Sequence, residues 1–426
     1  MGTILSVNKL DTFRRHLKQT TIGFPYQALQ NAKNFLSAID FPTTKDEAWK
    51  YTRLTKISGL QANNHPTHDL NDVLTYNLGE NTINLTFVNG VLITTCDQNF
   101  IDSLPDGLTI LPLENCTQEQ LASMVNSEEK ELFHAMNTLY CSSGLYIAIK
   151  KNAIIDKAIH IHHIVTGDSH INHVKHFIQS GVFSKCNVVQ TFVSQDADKC
   201  FSNVVTKIVV GENSNLTVNK LQLEHDGNFS VCNELIEVHA NATFTLNTIT
   251  LGGRLIRNNV YAQIKGQNSE CNLNGAYLLK GNAHVDNHTL IEHQVPHCNS
   301  NELYKGVMDD QSTGVFNGKV IVHTDAQKTN AFQSNANVLL SSDATINSKP
   351  ELEIYADDVK CSHGSTTGQL DENAIFYLRA RGVSKESAKQ LLVQAFIEDV
   401  LEKIEDECIV NCIHNELAER LGWSFN

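Results

Sequence analysis

The sequence predicts a mainly β chain: a β-solenoid core flanked by helical regions at both ends. Three observations predict it. Between about Leu85 and Ile354, short runs of Val, Ile, Leu, Thr and Phe alternate with Asn, Gly, Ser and Asp, the texture of many short strands. Within that region a weak repeat recurs as SKCNVVQTFV (Ser184–Val193), SNLTVNKLQL (Ser214–Leu223), ATFTLNTITL (Ala242–Leu251) and SECNLNGAYL (Ser269–Leu278), with apolar residues at the fifth and tenth places and, except for Thr191, at the eighth. The fifth-place residues Val188, Val218, Leu246 and Leu273 are 30, 28 and 27 apart, and a period near that length is what stacked coils need to close a common core. Later, Phe316 and Ile346 stand 30 apart in similar settings. The rival, a large β-sandwich, calls for tight hairpins; Asn89-Gly90 and Asn317-Gly318 fit, most linkers do not.

In chain order, the first unit (1–84) reads as helical. Leu10, Phe13 and Leu17, then Ala28, Ala32, Phe35 and Leu36, recur at helical spacing; Gly23, Phe24 and Pro25 break the run, and Pro42 ends it. Trp49 and Tyr51 follow as core aromatics. Helical periodicity last shows at Ser127–Leu139, inside the core unit assigned to 85–358. Helices return in the third unit (359–426). Asp371 caps one that Gly382 stops, and Ser384 caps a longer one whose apolar face is Ala388, Leu391, Leu392, Ala395, Phe396 and Leu401. A third covers Val410 to Leu421.

Composition excludes several function classes. Of 426 residues, Lys and Arg number 33 against 47 Asp and Glu, a formal charge of -14 that disfavours nucleic acid and anionic membranes. Nothing approaches the roughly 18 apolar residues of a membrane span. The start, MGTILSVNKL, shows no basic leader, so a soluble, cytoplasmic protein is expected. Gly2 and Ser6 fit a myristoylation pattern read as incidental without a polybasic second signal. The sequons at Asn215, Asn241 and Asn287 are likewise acceptor spellings in an Asn-rich chain. Eleven cysteines without any C-x-x-C argue against a disulfide framework or zinc ribbon. GVFNGKV (Gly314–Val320) has the wrong spacing for a phosphate loop.

The most informative segment is PELEIYADDVKCSHGSTTGQ, Pro350–Gln369. A strand-like run and two acids lead to Cys361 and His363 on what reads as a short turn closed by Gly364. In extended backbone, i and i+2 share a face, so thiol and imidazole can address one soft metal ion. One C-x-H lacks the second ligand pair of a closed site. Other candidates read as structural: His160, His162 and His163 with His170, His173 and His176 as solvated or interstrand residues; His288, His293 and His297 with Cys298 as solenoid turns; Cys408, Cys412 and His414 as incidental neighbours on a helix.

The sentence around Cys361 extends the argument. ADDVKCSHG with TTGQLDENAIFYLRARG (Ala356–Gly382), DEAWKYT (Asp46–Thr52), DNHTLIEHQVPHCNS (Asp286–Ser300), Gly314–Gly318 and AQKTNAFQSN (Ala326–Asn335) occur in the order of the SufB/SufD family, scaffold subunits of an iron-sulfur cluster assembly system, which this chain resembles. C-S-H-G, where SufB subunits carry a cysteine followed by an E-H-E-A type sequence, places the resemblance on the SufD side. The resemblance implies a right-handed parallel β-helix and a non-catalytic role. It implies pairing with a SufB-like subunit, with iron or a nascent cluster shared at that interface through His363 and, as accessory, Cys361. It implies docking of a SufC-like ABC ATPase on the C-terminal helices, for which Phe376, Leu391, Leu392 and Phe396 are the candidates. A reduced flavin in the complex and a homodimer in isolation are further expectations. The competing reading from the fold alone is a polysaccharide-active β-helix enzyme.

Overall fold

The computed structural model describes residues 8–61, 78–79, 81–125 and 131–421. Gly2, Ser6 and the start of the Ser127–Leu139 segment lie outside them.

Two parallel sheets face each other, and the chain alternates between them. The first contains Thr82–Val88, Ala158–Asp168, Lys185–Asp198, Asn215–Leu223, Thr243–Thr250, Glu270–Leu279, Asn299–Met308, Asn330–Leu339 and Lys360–Gly368. The second contains Ser143–Ile149, Ile171–Ser180, Phe201–Val210, Phe229–Val238, Leu255–Ile264, His284–His293, Thr313–Val322 and Thr345–Ile354. Each strand pairs with the next one of its own sheet, one coil on, which makes a parallel β-helix. The sandwich is excluded. Asn89-Gly90 does form a hairpin, with φ of 48° and 77° between Val88 and Val91, but Asn317-Gly318 lies within a strand.

The sequence repeat is the physical register. Val188 pairs with Val218, Val218 with Leu246 and Leu246 with Leu273, all buried in the interior between the sheets. Phe316 is aligned with Ser348, not Ile346, because the loops after Val322 and after Leu339 both make that coil longer. Corners entering the first sheet use left-handed backbone at Phe183, Asn213, Asn241, Asn268, His297 and Lys328. Asparagine visits that region more readily than most residues, which accounts for part of the chain's Asn content. Asn241 is thus a corner, while Asn287 is a buried strand residue bonded to Asn258.

The N-terminal helices Lys9–Arg14 and Tyr26–Ala38, with Leu132–Tyr140, cover the outer face of the second sheet. Leu10, Phe13, Leu36, Trp49 and Phe133 pack there on Phe201, Phe229 and Leu255. Tyr51, expected in that core, is exposed beneath Lys50. The C-terminal helices cover the first sheet. Asp371 and Ser384 cap Glu372–Arg379 and Lys385–Leu401 as their side chains predict. The third helix begins earlier than expected, at Glu407.

The long helix turns a different face to the sheet than expected. Ala388, Val393, Ile397, Val400 and Leu401 are buried, whereas Leu391 and Ala395 are exposed. Apolar residues surround this helix, so its period alone does not select a face; Ala276, Leu278 and Val307 on the sheet do. Each buried aliphatic side chain there contributes roughly 1.5–3 kcal/mol. No described helix is long and apolar enough to cross a membrane.

Candidate functional site

Lys360–Gly368 is a strand of the last coil, paired on one side only, with Asn330–Leu339. The stretch read as a turn is therefore part of the solenoid, and the boundary set at 359 falls before the final strand. Cys361 and His363 do share a face, the inward one. The Cys361 column runs through Cys271, Ser300 and Ala331. The His363 column continues the repeat itself: Val188, Val218, Leu246, Leu273, then Glu302, Gln333 and His363. With Ile83 and Ile159, which precede Val188 in the same register, six strands are aliphatic at this place and three are polar.

At the open end no further coil covers these side chains. His363 is exposed, and among the described residues none hydrogen-bonds its imidazole. Cys361 is half-buried, and that burial pushes its thiol above the ordinary value, against a backbone hydrogen bond from Ala331 that favours the thiolate. Its resting form is the neutral thiol, a weaker ligand than the imidazole.

Beneath them the interior is polar. Gln333 Nε2 donates to Glu302, and both side chains are buried. Burial pushes the Glu302 carboxyl up to about 7, moderated by the Thr289 and Gln333 side chains. Beside it, Ser348 Oγ donates to Asn335 Oδ1 at 2.8 Å and lies 2.8 Å from Ser365 Oγ. Tyr277 donates its hydroxyl to Asn337 Oδ1 at 2.8 Å. Deeper still, Lys220 Nζ donates to Glu234 at 2.8 Å and Asn258 at 3.0 Å, fully buried. Motif reading missed Glu302 and Gln333. Extending the repeat two coils beyond Leu273 finds both.

The remaining candidates do not assemble. Among the described residues no three His, Cys, Asp or Glu side chains could hold a metal ion together. His160, His162, His163, His173 and His176 are interstrand, as expected, but buried rather than solvated. Parallel stacking confines them: His163 is stacked between Phe87 and Phe192 and lies 3.3 Å from His176. His284–His293 is a strand rather than a turn, with His293 2.8 Å from Ser300 Oγ; His297 is a corner and Cys298 is buried. Cys408 is exposed on the last helix and Cys412 half-buried.

The ATPase-docking candidates divide. Phe376 is 73% and Leu391 45% exposed, with Tyr377 exposed beside Phe376. Leu392 is half-buried, and Phe396 packs against the sheet beneath Lys305 Nζ, 4.8 Å from its ring centroid.

A second polar centre joins the N-terminal region to the β-helix. DEAWKYT and DNHTL meet there: Arg257 lies over the Trp49 ring, donates to Asp286 Oδ2 at 2.7 Å and to Ala48 O at 2.7 Å, and Thr52 donates to the same carboxylate. His288 Nε2 is 3.1 Å from Asp286 Oδ1. Burial works to raise the Asp286 carboxyl, yet the charges of Arg257 and His288 hold it well below the ordinary range. Two distant motifs are thus one buried clamp.

Fold and site together define a β-helical protein that carries an imidazole and a thiol on one face of its last strand, at an open end. Residues 163–396 match the family model described as SUF system FeS cluster assembly, SufBD core domain, and residues 11–161 match the SufBD protein N-terminal region. The chain belongs to the SufBD family of iron-sulfur cluster assembly proteins. It is 29% identical to the iron-sulfur cluster assembly protein SufD of Escherichia coli over 402 residues, covering 93% of this chain and 92% of that protein. A SufBD family protein of Synechocystis is 29% identical over 393 residues, 88% and 86% of the two chains. The chloroplastic protein ABCI7 of Arabidopsis thaliana is 28% identical over 413 residues, 93% and 86%.

Proposed function

We propose that this chain is a SufD-type scaffold subunit, without catalytic chemistry of its own, that offers His363 as one ligand to iron or a nascent iron-sulfur cluster completed by a SufB-like subunit. The observation that carries this reading is the position of His363: exposed, inward-facing and at the uncovered end of the solenoid, with Cys361 two residues away on the same face. Imidazole and thiolate both bind iron, but one of each leaves a cluster's coordination incomplete. The last strands of both sheets, Thr345–Ile354 and Lys360–Gly368, each keep one unpaired edge, and such edges suit pairing with another chain. In isolation a second copy of this chain competes for them. Phe376, Tyr377 and Leu391 are exposed apolar side chains on the C-terminal helices, available to a SufC-like ABC ATPase, which would supply the hydrolysis.

Co-expression with SufB-like and SufC-like subunits, anaerobic pull-down and assay of iron and acid-labile sulfide test the reading. His363→Ala is expected to leave the complex assembled and empty it of iron and sulfide, with Cys361→Ala reducing the content less. Any reduced flavin carried by the complex is read in the same samples. A His363→Ala complex with full iron and sulfide, or a chain that captures neither subunit, refutes the proposal.

A further inference from the structure

We propose that Gln333 is a positioning residue for His363: a turn of the exposed ring onto Gln333 brings one ring N–H to its side-chain carbonyl, a bond not formed in the structure as it stands, and leaves the other nitrogen's lone pair facing the open end. This deepens the reading of His363 as an iron ligand and rests on it.

Three observations converge. Gln333 and His363 are register partners on adjacent parallel strands and occupy the same inward column, so their side chains stack about 5 Å apart at the backbone. The Gln333 amide has a defined orientation. Its Nε2 donates to Glu302 Oε2, an oxygen that accepts in the carboxylate and, as the carbonyl oxygen, in the protonated acid. Gly318 on the opposite sheet leaves the space the amide fills: a Cβ there would lie 2.2 Å from Gln333 Nε2. The consequence is a buried carbonyl, Gln333 Oε1, that has no hydrogen-bond partner among the described residues, although Gln333 is only 3% exposed.

Buried acceptors are ordinarily satisfied. Ser348 is already engaged with Asn335 and Ser365; Glu302 Oε1 and Thr289 Oγ1 are also unpartnered among the described residues, but neither residue is a register neighbour of His363, so Gln333 Oε1 is the open acceptor on the strand next to it. A neutral imidazole has one N–H and one lone pair, and the group holding the N–H decides which nitrogen is left for a metal. Glu302 thereby acts two coils away, by fixing the amide that fixes the ring.

The test uses the full chain labelled with ¹⁵N-histidine, the His363 ring signals being assigned by their loss in His363→Ala. Wild type is expected to show one His363 tautomer, Gln333→Met a mixture of both, and Gln333→Glu, which keeps an acceptor, a single tautomer again. In the co-expressed complex, Gln333→Met is expected to lower iron retention about tenfold, the low end of what loss of a ligand-orienting partner produces, and Gln333→Glu to restore it. Should Gln333→Met fold poorly because Glu302 loses its donor, the double variant Glu302→Met, Gln333→Met removes both polar groups and reports the same two quantities. An unchanged tautomer, or a mixed tautomer with undiminished iron, overturns the assignment. Full iron in the His363→Ala complex instead sinks the underlying role of His363 and is a separate outcome, since the tautomer is read without partners.

Discussion

The Arg257 guanidinium lies 3.8 Å from the centroid of the Trp49 ring, with its Nη1 donating to Asp286 Oδ2 at 2.7 Å. A residue from the N-terminal region and two from neighbouring coils of the second sheet thus share one dry contact. The charges are both almost fully buried, and such a pair is costly to break because the survivor stays uncompensated. Asp286→Ala is expected to destabilise the fold by about 3–5 kcal/mol. Trp49→Ala is expected to cost about 3–5 kcal/mol as well, through its cavity. Limited proteolysis should then cut first in the N-terminal helices, which depend on this contact. Denaturation midpoints unchanged in Asp286→Ala would refute the clamp.

Stability should peak near neutral pH, for opposite reasons on its two sides. Burial lowers His160, His173 and His176 to about 3, with the His162 charge adding to the effect on His160. The folded rings stay neutral where the unfolded chain takes up protons, so stability falls as pH drops through about 6.5, by about 1.4 kcal/mol per ring per pH unit. Burial raises Glu224 and Glu302 to about 7, against the hydrogen bonds and charges that oppose it. Folded, they keep protons that the unfolded chain has released, so their contribution is lost as pH rises from about 4.5 to 7. Glu302→Gln should therefore gain stability at pH 8.5 relative to its effect at pH 5, on the order of 2–3 kcal/mol. Urea melts of both proteins at the two pH values decide it; equal differences contradict the buried carboxyl.

Gly275 is small because Tyr304 lies across it. A Cβ at position 275 would stand 2.3 Å from Tyr304 Cε1, inside the packed interior. Gly275→Ala is expected to cost about 1–3 kcal/mol by overpacking. The double variant with Tyr304→Leu should recover part of the loss. Additive effects in that cycle would show that the ring and the glycine are not in contact.

Phe376 and Leu391 separate docking from folding. Replacing either by Asp should leave the melting temperature within a degree or two, because both side chains are exposed, and weaken capture of a SufC-like ATPase at least tenfold. Val393→Asp, on the buried face of the same helix, should unfold the C-terminal region. Titration calorimetry alongside thermal melts checks both. Undiminished ATPase capture by the Phe376 and Leu391 variants places the partner elsewhere.

Much of the fold was legible because a parallel β-helix repeats its interior. Val188, Val218, Leu246 and Leu273 stand in register because each must fill the same place in a coil. The helix caps Asp371 and Ser384 were legible because capping is local. The strand carrying His363 was not recognised as one. It buries no apolar face and has no second neighbour, so its residues carry no alternation to read. The His-rich strands misled in the other direction, since polar side chains inside the solenoid are satisfied across coils, as His160 is by Asn84 and Thr191.

The amino-acid order by itself determined the coil period, the two helical ends, the family and the C-x-H pair. Only the tertiary structure decided that Glu302, Gln333 and His363 form one column emerging at the open end, and which side of the Lys385–Leu401 helix is covered. The reason is that coils vary in length: residues 27 to 31 apart become neighbours only once every intervening loop has taken its shape.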